Sequence, residues 1–291
     1  MANVLIMTDS VACLPADIVE EFGIKVVPAA NIIIDGQNYI ENVSISATEA
    51  YQLIEKDPDK FLTSAMTPHV LLEEFEQAAS LSNEIVHITL SSALSAGFKT
   101  AGLAAELLKE KKPEAAIHIV DSKAVAGMQG LMVRAAAKAA KKGMSVEEII
   151  DTAQKVRART GGLFMLDTLR YIYRTGRMSK MGSRIASMFN IRPINKVMED
   201  GTIIMAERTR NRDHSLEIML ELISSEAGTD SLHFMLNHAN APDVAEQFRE
   251  MLGRKFNCLS VTISDYSPVM GYGAGPGALF AGFTPSLDLS E

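Results

Sequence analysis

The stretch IVHITL at 85–90, followed by Ser91-Ser92-Ala93-Leu94-Ser95, is a short apolar run that ends in small polar residues. The same pattern occurs at 3–8 (NVLIMT, then Asp9-Ser10) and at 116–120 (AIHIV, then Asp121-Ser122). Runs of this length and composition, bounded by turn residues, read as strands buried on both faces. Between them the period becomes helical. Thr67-Pro68 offers a cap and a first-turn proline, with Leu71, Leu72, Phe75 and Ala79 on one face. Ser145 and Glu148 form a capping-box pattern ahead of Ile149, Ala153 and Val156. Strand, polar turn and helix in repetition predict a parallel sheet covered on both sides, a three-layer α/β domain.

The pattern changes after about residue 160. Asp200-Gly201 lies between apolar-rich runs at 191–198 and 202–206, as an antiparallel hairpin requires. Helices at about 213–226 and 242–253 then alternate with runs at 231–237 and 258–263. A two-layer α/β domain with a mixed sheet fits this half, which places the division at 1–160 and 161–291.

A chain of 291 residues, 47% of them hydrophobic, is long enough for two cores. Its two cysteines, Cys13 and Cys258, suit neither a disulfide framework nor a zinc site, so a reducing compartment is expected. The opening MANVLIMTDS lacks a basic region and reads as a first strand instead of a signal peptide. No run approaches the roughly 18–20 apolar residues of a membrane helix, so a cytoplasmic location without integral membrane association is expected. The formal charge of -8 argues against nucleic acid as a partner. That charge is uneven: 165–212 holds ten Lys or Arg against Asp167, Glu199, Asp200 and Glu207. Arg208, Arg210 and Arg212, with Arg170 and Arg174 as neighbours, are the candidate docking face for an acidic partner.

In a parallel α/β sheet the binding crevice lies beyond the carboxyl ends of the strands. Those ends carry Thr8-Asp9-Ser10, Ser91-Ser92 with Ser95, and Asp121-Ser122, and the loop Thr63-Ser64-Ala65-Met66-Thr67 adds hydroxyls before a helix. Hydroxyls beside unpaired helix N–H groups can receive a carboxylate, although the same residue types also serve as plain helix caps. The glycine-dense Gly271–Gly277 has neither a Walker pattern nor G-x-G-x-x-G. It reads as a close backbone approach to a ligand or as a tight turn between two late strands. The six histidines form no metal-binding pair, and His87 and His118, inside strands, read as hydrogen-bonded structural residues. With no G-x-S-x-G elbow and no base beside Cys13, no nucleophile is assembled. A small hydrolase or phosphotransferase using Asp9, Ser10 and Asp121 is the alternative.

These segments together resemble the DegV family of bacterial fatty-acid-binding proteins. Thr8-Asp9-Ser10 with Ala12, Leu14 and Pro15 is similar to the family's TDSxA-x-LP opening, and Val27-Pro28 follows. Thr63–Pro68 is similar to its TSQPS-type loop, Ser91–Ser95 to SSxLSGTYQSA, Asp121-Ser122 to IVDS and Thr175-Gly176-Arg177 to KGGRI. Ile191-Arg192-Pro193-Ile194 with Asp200-Gly201 resembles the IKPI…DG hairpin, and Gly275-Pro276-Gly277-Ala278 the closing GPGA. The resemblance implies that Thr63, Ser64 and Ser95 hold a fatty-acid carboxylate. Ser92, Arg177, Tyr272 and Gly273 become head-site neighbours, and the acyl chain lies in an apolar tunnel at the domain junction. It also implies a non-enzymatic carrier with no cofactor and no metal, which presents the lipid to a separate fatty-acid kinase subunit. Two positions depart from the pattern: Leu94-Ser95-Ala96-Gly97 lacks the threonine of LSGT, and Gly273 stands where the family has histidine, with Tyr272 as a candidate compensating hydroxyl.

Overall fold

The computed structural model describes residues 4–41, 44–177, 191–229 and 231–287. Its first half runs β1 (Val4–Asp9), α1 (Ala16–Phe22), β2 (Lys25–Val27), β3 (Ala30–Ile34), β4 (Gln37–Ile40), α2 (Ala47–Lys56), β5 (Phe61–Ala65) and α3 (Pro68–Ala79). There follow β6 (Glu84–Thr89), α4 (Gly97–Lys111), β7 (Ala116–Asp121), α5 (Ala126–Lys141) and α6 (Val146–Arg159). The second half is β8 (Gly161–Met165), α7 (Arg170–Thr175), β9 (Arg192–Val197), β10 (Ile203–Thr209), α8 (Arg212–Ala227) and β11 (Ser231–His238). It closes with α9 (Pro242–Lys255), β12 (Asn257–Asp265), α10 (Pro268–Ala274) and β13 (Leu279–Thr284).

The expected parallel sheet is present, in the order β2-β1-β6-β7 with every pair parallel. Alternation along each strand sends Val4, Ile6, Val86 and Ile88 toward α5 and α6, while Met7 and Ile85 pack against Phe75 of α3 and Ala101 of α4. This is the three-layer arrangement. Thr67 caps α3 by accepting from Val70 N, and Ala78 takes the fully buried place expected of Ala79. The Ser145–Glu148 capping box closes in both directions at α6.

The second sheet is mixed, in the order β10-β9-β8-β13-β11-β12, with β11 and β12 parallel and the other pairs antiparallel. Asp200-Gly201 turns the β9–β10 hairpin as expected, with Gly201 at φ 82°. α8 and α9 cover one face through Leu216, Met219, Val244 and Phe248. The other face rests on α5, twelve of whose sixteen residues are buried. A helix apolar on all sides belongs between two layers, and here it joins the two sheets. The approach is close: a Cβ on Gly282 of β13 would lie 2.6 Å from the carbonyl carbon of Gly127 and 2.7 Å from Met128 N. Both are backbone atoms with little room to yield. Gly282→Ala is therefore expected to lower stability by about 1–3 kcal/mol through overpacking. Gly253→Ala is the control, because nothing lies within 4 Å of that Cβ position in α9 and alanine stabilises a helix interior by about 0.5–1 kcal/mol. Urea midpoints of the two variants should move in opposite directions.

Two expectations are corrected. Thr63–Ala65 is not loop: it belongs to strand β5 of a small antiparallel sheet, β4-β3-β5, that the sequence reading missed. The missed signal is Asp35-Gly36, between Ile32–Ile34 and Tyr39-Ile40, the same hairpin dipeptide that located Asp200-Gly201. The glycine-dense stretch is not a plain turn between strands either. Gly271 and Gly273 lie in α10, capped by Ser267, and only Gly275 and Gly277 take positive φ on the way into β13.

Candidate functional site

The crest of the parallel sheet, the small β3–β5 sheet and the second sheet enclose a cavity of about 240 Å³. It sits where the crevice rule places it, because β1 and β6 are neighbours whose chain connections depart to opposite sides of the sheet. Val11 and Leu90, just past those two strands, form part of its wall.

Thr63, Ser64, Ser95, Arg177, Tyr272 and Gly273 all line this cavity. Thr63 and Ser64 come from β5, and their hydroxyls have no hydrogen-bond partner among the described residues. Ser95 precedes α4, where its Oγ accepts from Gly97 N at 3.2 Å. The α4 N-cap is Ala96, which has no capping side chain, so of the first-turn N–H groups Gly97 alone has a side-chain partner among the described residues. Arg177 is exposed, and its guanidinium is steadied by the carbonyls of Thr175 and Leu94. Helix N-terminus and guanidinium both favour a negative group at this rim. Tyr272 is buried, its ring stacked on Phe61 at 5.6 Å with the Arg174 guanidinium 5.1 Å from its centroid. Gly273 has room for a side chain, since the nearest atom to its Cβ position is Thr175 Cγ2 at 3.6 Å. Ser92 is not in the lining: its Oγ donates to Asp121 Oδ2 at 2.6 Å and its N–H to Oδ1 at 3.1 Å.

Asp9, Ser10 and Asp121 are held in separate networks off the cavity. Asp9 accepts from Leu90 N at 2.7 Å, from Val11 N at 3.1 Å and from Gln129 Nε2 at 3.1 Å. Burial outweighs these donors and raises its carboxyl from 3.8 to about 6. Ser10 Oγ accepts from Ala29 N and donates to Glu41, a buried carboxyl that also receives Val269 N at 2.9 Å. Burial raises the pKa of Glu41 as well. This residue, absent from the sequence reading, ties the end of the small sheet to the first strand's crest and to α10. Asp121 receives Ser92 and Lys123 as a turn. The Cys13 thiol is pushed up to about 12 by burial, which makes it a poor nucleophile. Among the described residues no group of His, Cys, Asp and Glu has the makings of a metal site. His118 meets Glu84 at 3.1 Å, but His87 departs from expectation: neither of its ring nitrogens has a partner among the described residues.

The basic segment is partly consumed internally. Arg192 and Arg212 both clamp Asp167, and Arg174 reaches the Pro58 carbonyl and Asp59. Arg170, Arg208 and Arg210 are exposed, while Lys180 and Arg184 fall outside the described residues. No helix among the described residues is long and apolar enough to cross a membrane.

Fold and site together define a mixed α/β protein with an apolar chamber that opens through a polar mouth between its sheets. A family model described as "Uncharacterised protein, DegV family" matches residues 3–285, and the chain belongs to that family. It is 30% identical over 283 residues to a DegV domain-containing protein of Halalkalibacterium halodurans, covering 96% of this chain and 97% of that protein. Among solved structures, it is similar to a Thermotoga maritima protein described as revealing a fatty acid binding function. That match has a TM-score of 0.86 and 20% identity, over 98% of this chain and 99% of the other. It is also similar to the Streptococcus pneumoniae Fatty Acid Kinase (Fak) B3 protein loaded with linoleic acid. The TM-score there is 0.84 with 21% identity, over 98% of this chain and 100% of the other.

Proposed function

We propose that this protein holds one long-chain fatty acid, with its tail in the cavity and its carboxylate at the mouth, and presents that carboxylate to a separate fatty-acid kinase subunit. The observation that carries the reading is the cavity's division into an apolar interior and a rim of hydroxyls, the α4 N-terminus and one arginine. In this reading Thr63, Ser64 and Ser95 contact the carboxylate, with Arg177, Tyr272 and Gly273 beside it. Burying the tail contributes about 0.8 kcal/mol per CH₂, so most of the affinity comes from the chain and the rim sets its orientation. The protein acts as a carrier without chemistry of its own, which is supported by the hydrogen bonds that occupy Asp9, Ser10 and Asp121. The fatty acids named with the solved relatives support the ligand class. Arg208 and Arg210, exposed in an otherwise acidic chain, are the proposed docking contacts for the kinase. The proposed division at 160/161 is supported by sheet membership, since the parallel sheet ends at Asp121 and the mixed sheet begins at Gly161.

Native mass spectrometry of the freshly purified protein, followed by organic extraction, tests the reading. A retained fatty acid is expected; a protein that carries none and binds none when supplied overturns it. Thr63→Ala and Ser95→Ala should each weaken binding about ten- to a hundredfold, from the roughly 1.5–3 kcal/mol of a hydrogen bond to a charged group. Equal affinity in both folded variants would remove these hydroxyls from the head site.

A further inference from the structure

We infer that the stacked rings of Phe164 and Phe280, with Gly162 at the tip of the Phe280 ring, form the floor of the cavity and set the longest acyl chain the protein accepts. The inference rests on the fatty-acid reading above. The cavity wall passes from exposed Ser64 and Arg177, through half-buried Thr63 and Ser95, to buried residues that include Phe164 and Phe280, 5% and 0% exposed. The two rings stand at paired positions on neighbouring strands, β8 and β13, with centroids 5.9 Å apart and planes inclined by 15°. A chain entering from the rim therefore ends against two aromatic rings packed together instead of a yielding aliphatic side chain.

What holds the floor in place is a residue outside the lining. A Cβ at Gly162 would lie 2.9 Å from Cζ of Phe280 and 3.0 Å from Sδ of Met128, so the Phe280 ring occupies space that only glycine leaves open. A methyl group there presses on the tip of the Phe280 ring, and that ring lines the cavity, so the displaced ring is expected to take up cavity space. Shortening Phe164 has the opposite effect, because it removes floor. One substitution in the lining and one outside it should thus move the length limit in opposite directions.

The test is a series of dissociation constants for saturated fatty acids from dodecanoate to eicosanoate. Each methylene that finds apolar contact should tighten Kd about fourfold, until the floor is met and the series breaks. Phe164→Ala, with Phe164→Leu as the milder change should alanine fold poorly, is expected to carry the break to longer chains. Gly162→Ala is expected to bring it to shorter ones. A break at the same chain length in Phe164→Leu and Gly162→Ala, both binding and folded, overturns the floor while leaving the fatty-acid reading intact. Failure of the parent protein to bind any member of the series overturns that reading, and the floor with it.

Discussion

Urea denaturation of an Arg157→Met variant is expected to show a loss of about 3–5 kcal/mol, the scale of breaking a partly buried charged network. The Arg157 Nε donates to Ser122 O at 3.0 Å, and Nη2 to Lys123 O at 2.7 Å, Met198 O at 3.1 Å and Glu199 O at 3.4 Å. One planar guanidinium thus fastens α6 to the turn after β7 and to the tip of the β9–β10 hairpin. The hairpin is also held by Ser91 Oγ, which donates to Gly201 O at 3.0 Å. Ile203, two residues beyond that turn, lines the cavity, so loosening the tip should weaken ligand binding as well as stability. Arg157→Lys keeps the charge but not the fork, and one ammonium cannot span carbonyls from two segments in the same way. It should recover less than half of the loss. A change below about 1 kcal/mol for methionine would show that the hairpin tip is held by other contacts.

A His87→Phe variant is expected to gain on the parent protein as pH falls, by up to about 3 kcal/mol near pH 4. His87 lies in β6, packed edge-on against Phe75 at 5.4 Å, with both ring nitrogens unpartnered among the described residues. Burial pushes its pKa from 6.5 down to about 4. The lowered pKa sets the sign: folding favours the neutral ring, so its contribution is complete above pH 6.5 and is lost as pH falls through about 4. Asp9 runs the other way. Its raised pKa, about 6, means that its contribution is complete below 3.8 and is lost as pH rises through 6. In the parent protein the two dependences oppose each other, and removing the imidazole leaves that of Asp9. Phenylalanine keeps the edge contact, and an adjoining cavity of about 20 Å³ gives it some room. The measurement is the difference in urea midpoint between variant and parent from pH 7 to pH 4; a difference independent of pH would mean that His87 does not resist protonation.

Contiguous pattern carried most of the architecture. The three core strands of the parallel sheet, the caps at Thr67 and Ser145 and the Asp200-Gly201 hairpin each depend on residues within a few positions of one another, where side-chain alternation and backbone geometry act directly. The rim hydroxyls Thr63, Ser64 and Ser95 were legible for the same reason, as small polar residues close to helix starts. The small sheet was legible in principle at Asp35-Gly36, but its strands are short and β5 ends in Thr63-Ser64-Ala65, which looks like loop chemistry until β3 pairs with it.

Long-range packing decided the rest. Whether a serine at a strand end faces a ligand or a neighbouring carboxylate depends on what arrives from far along the chain. Ser92 turns to Asp121, Ser10 to Glu41, and Ser95 to the cavity rim, although all three follow strands in similar contexts. The arginines divide in the same way, Arg192 and Arg212 being drawn to Asp167 while Arg208 and Arg210 stay exposed. Local pattern determines which groups a segment offers, because it acts through the backbone and near neighbours. Only the packing of α5 between two sheets decides which of those groups meet, because burial and charge pairing are properties of the space that distant segments close.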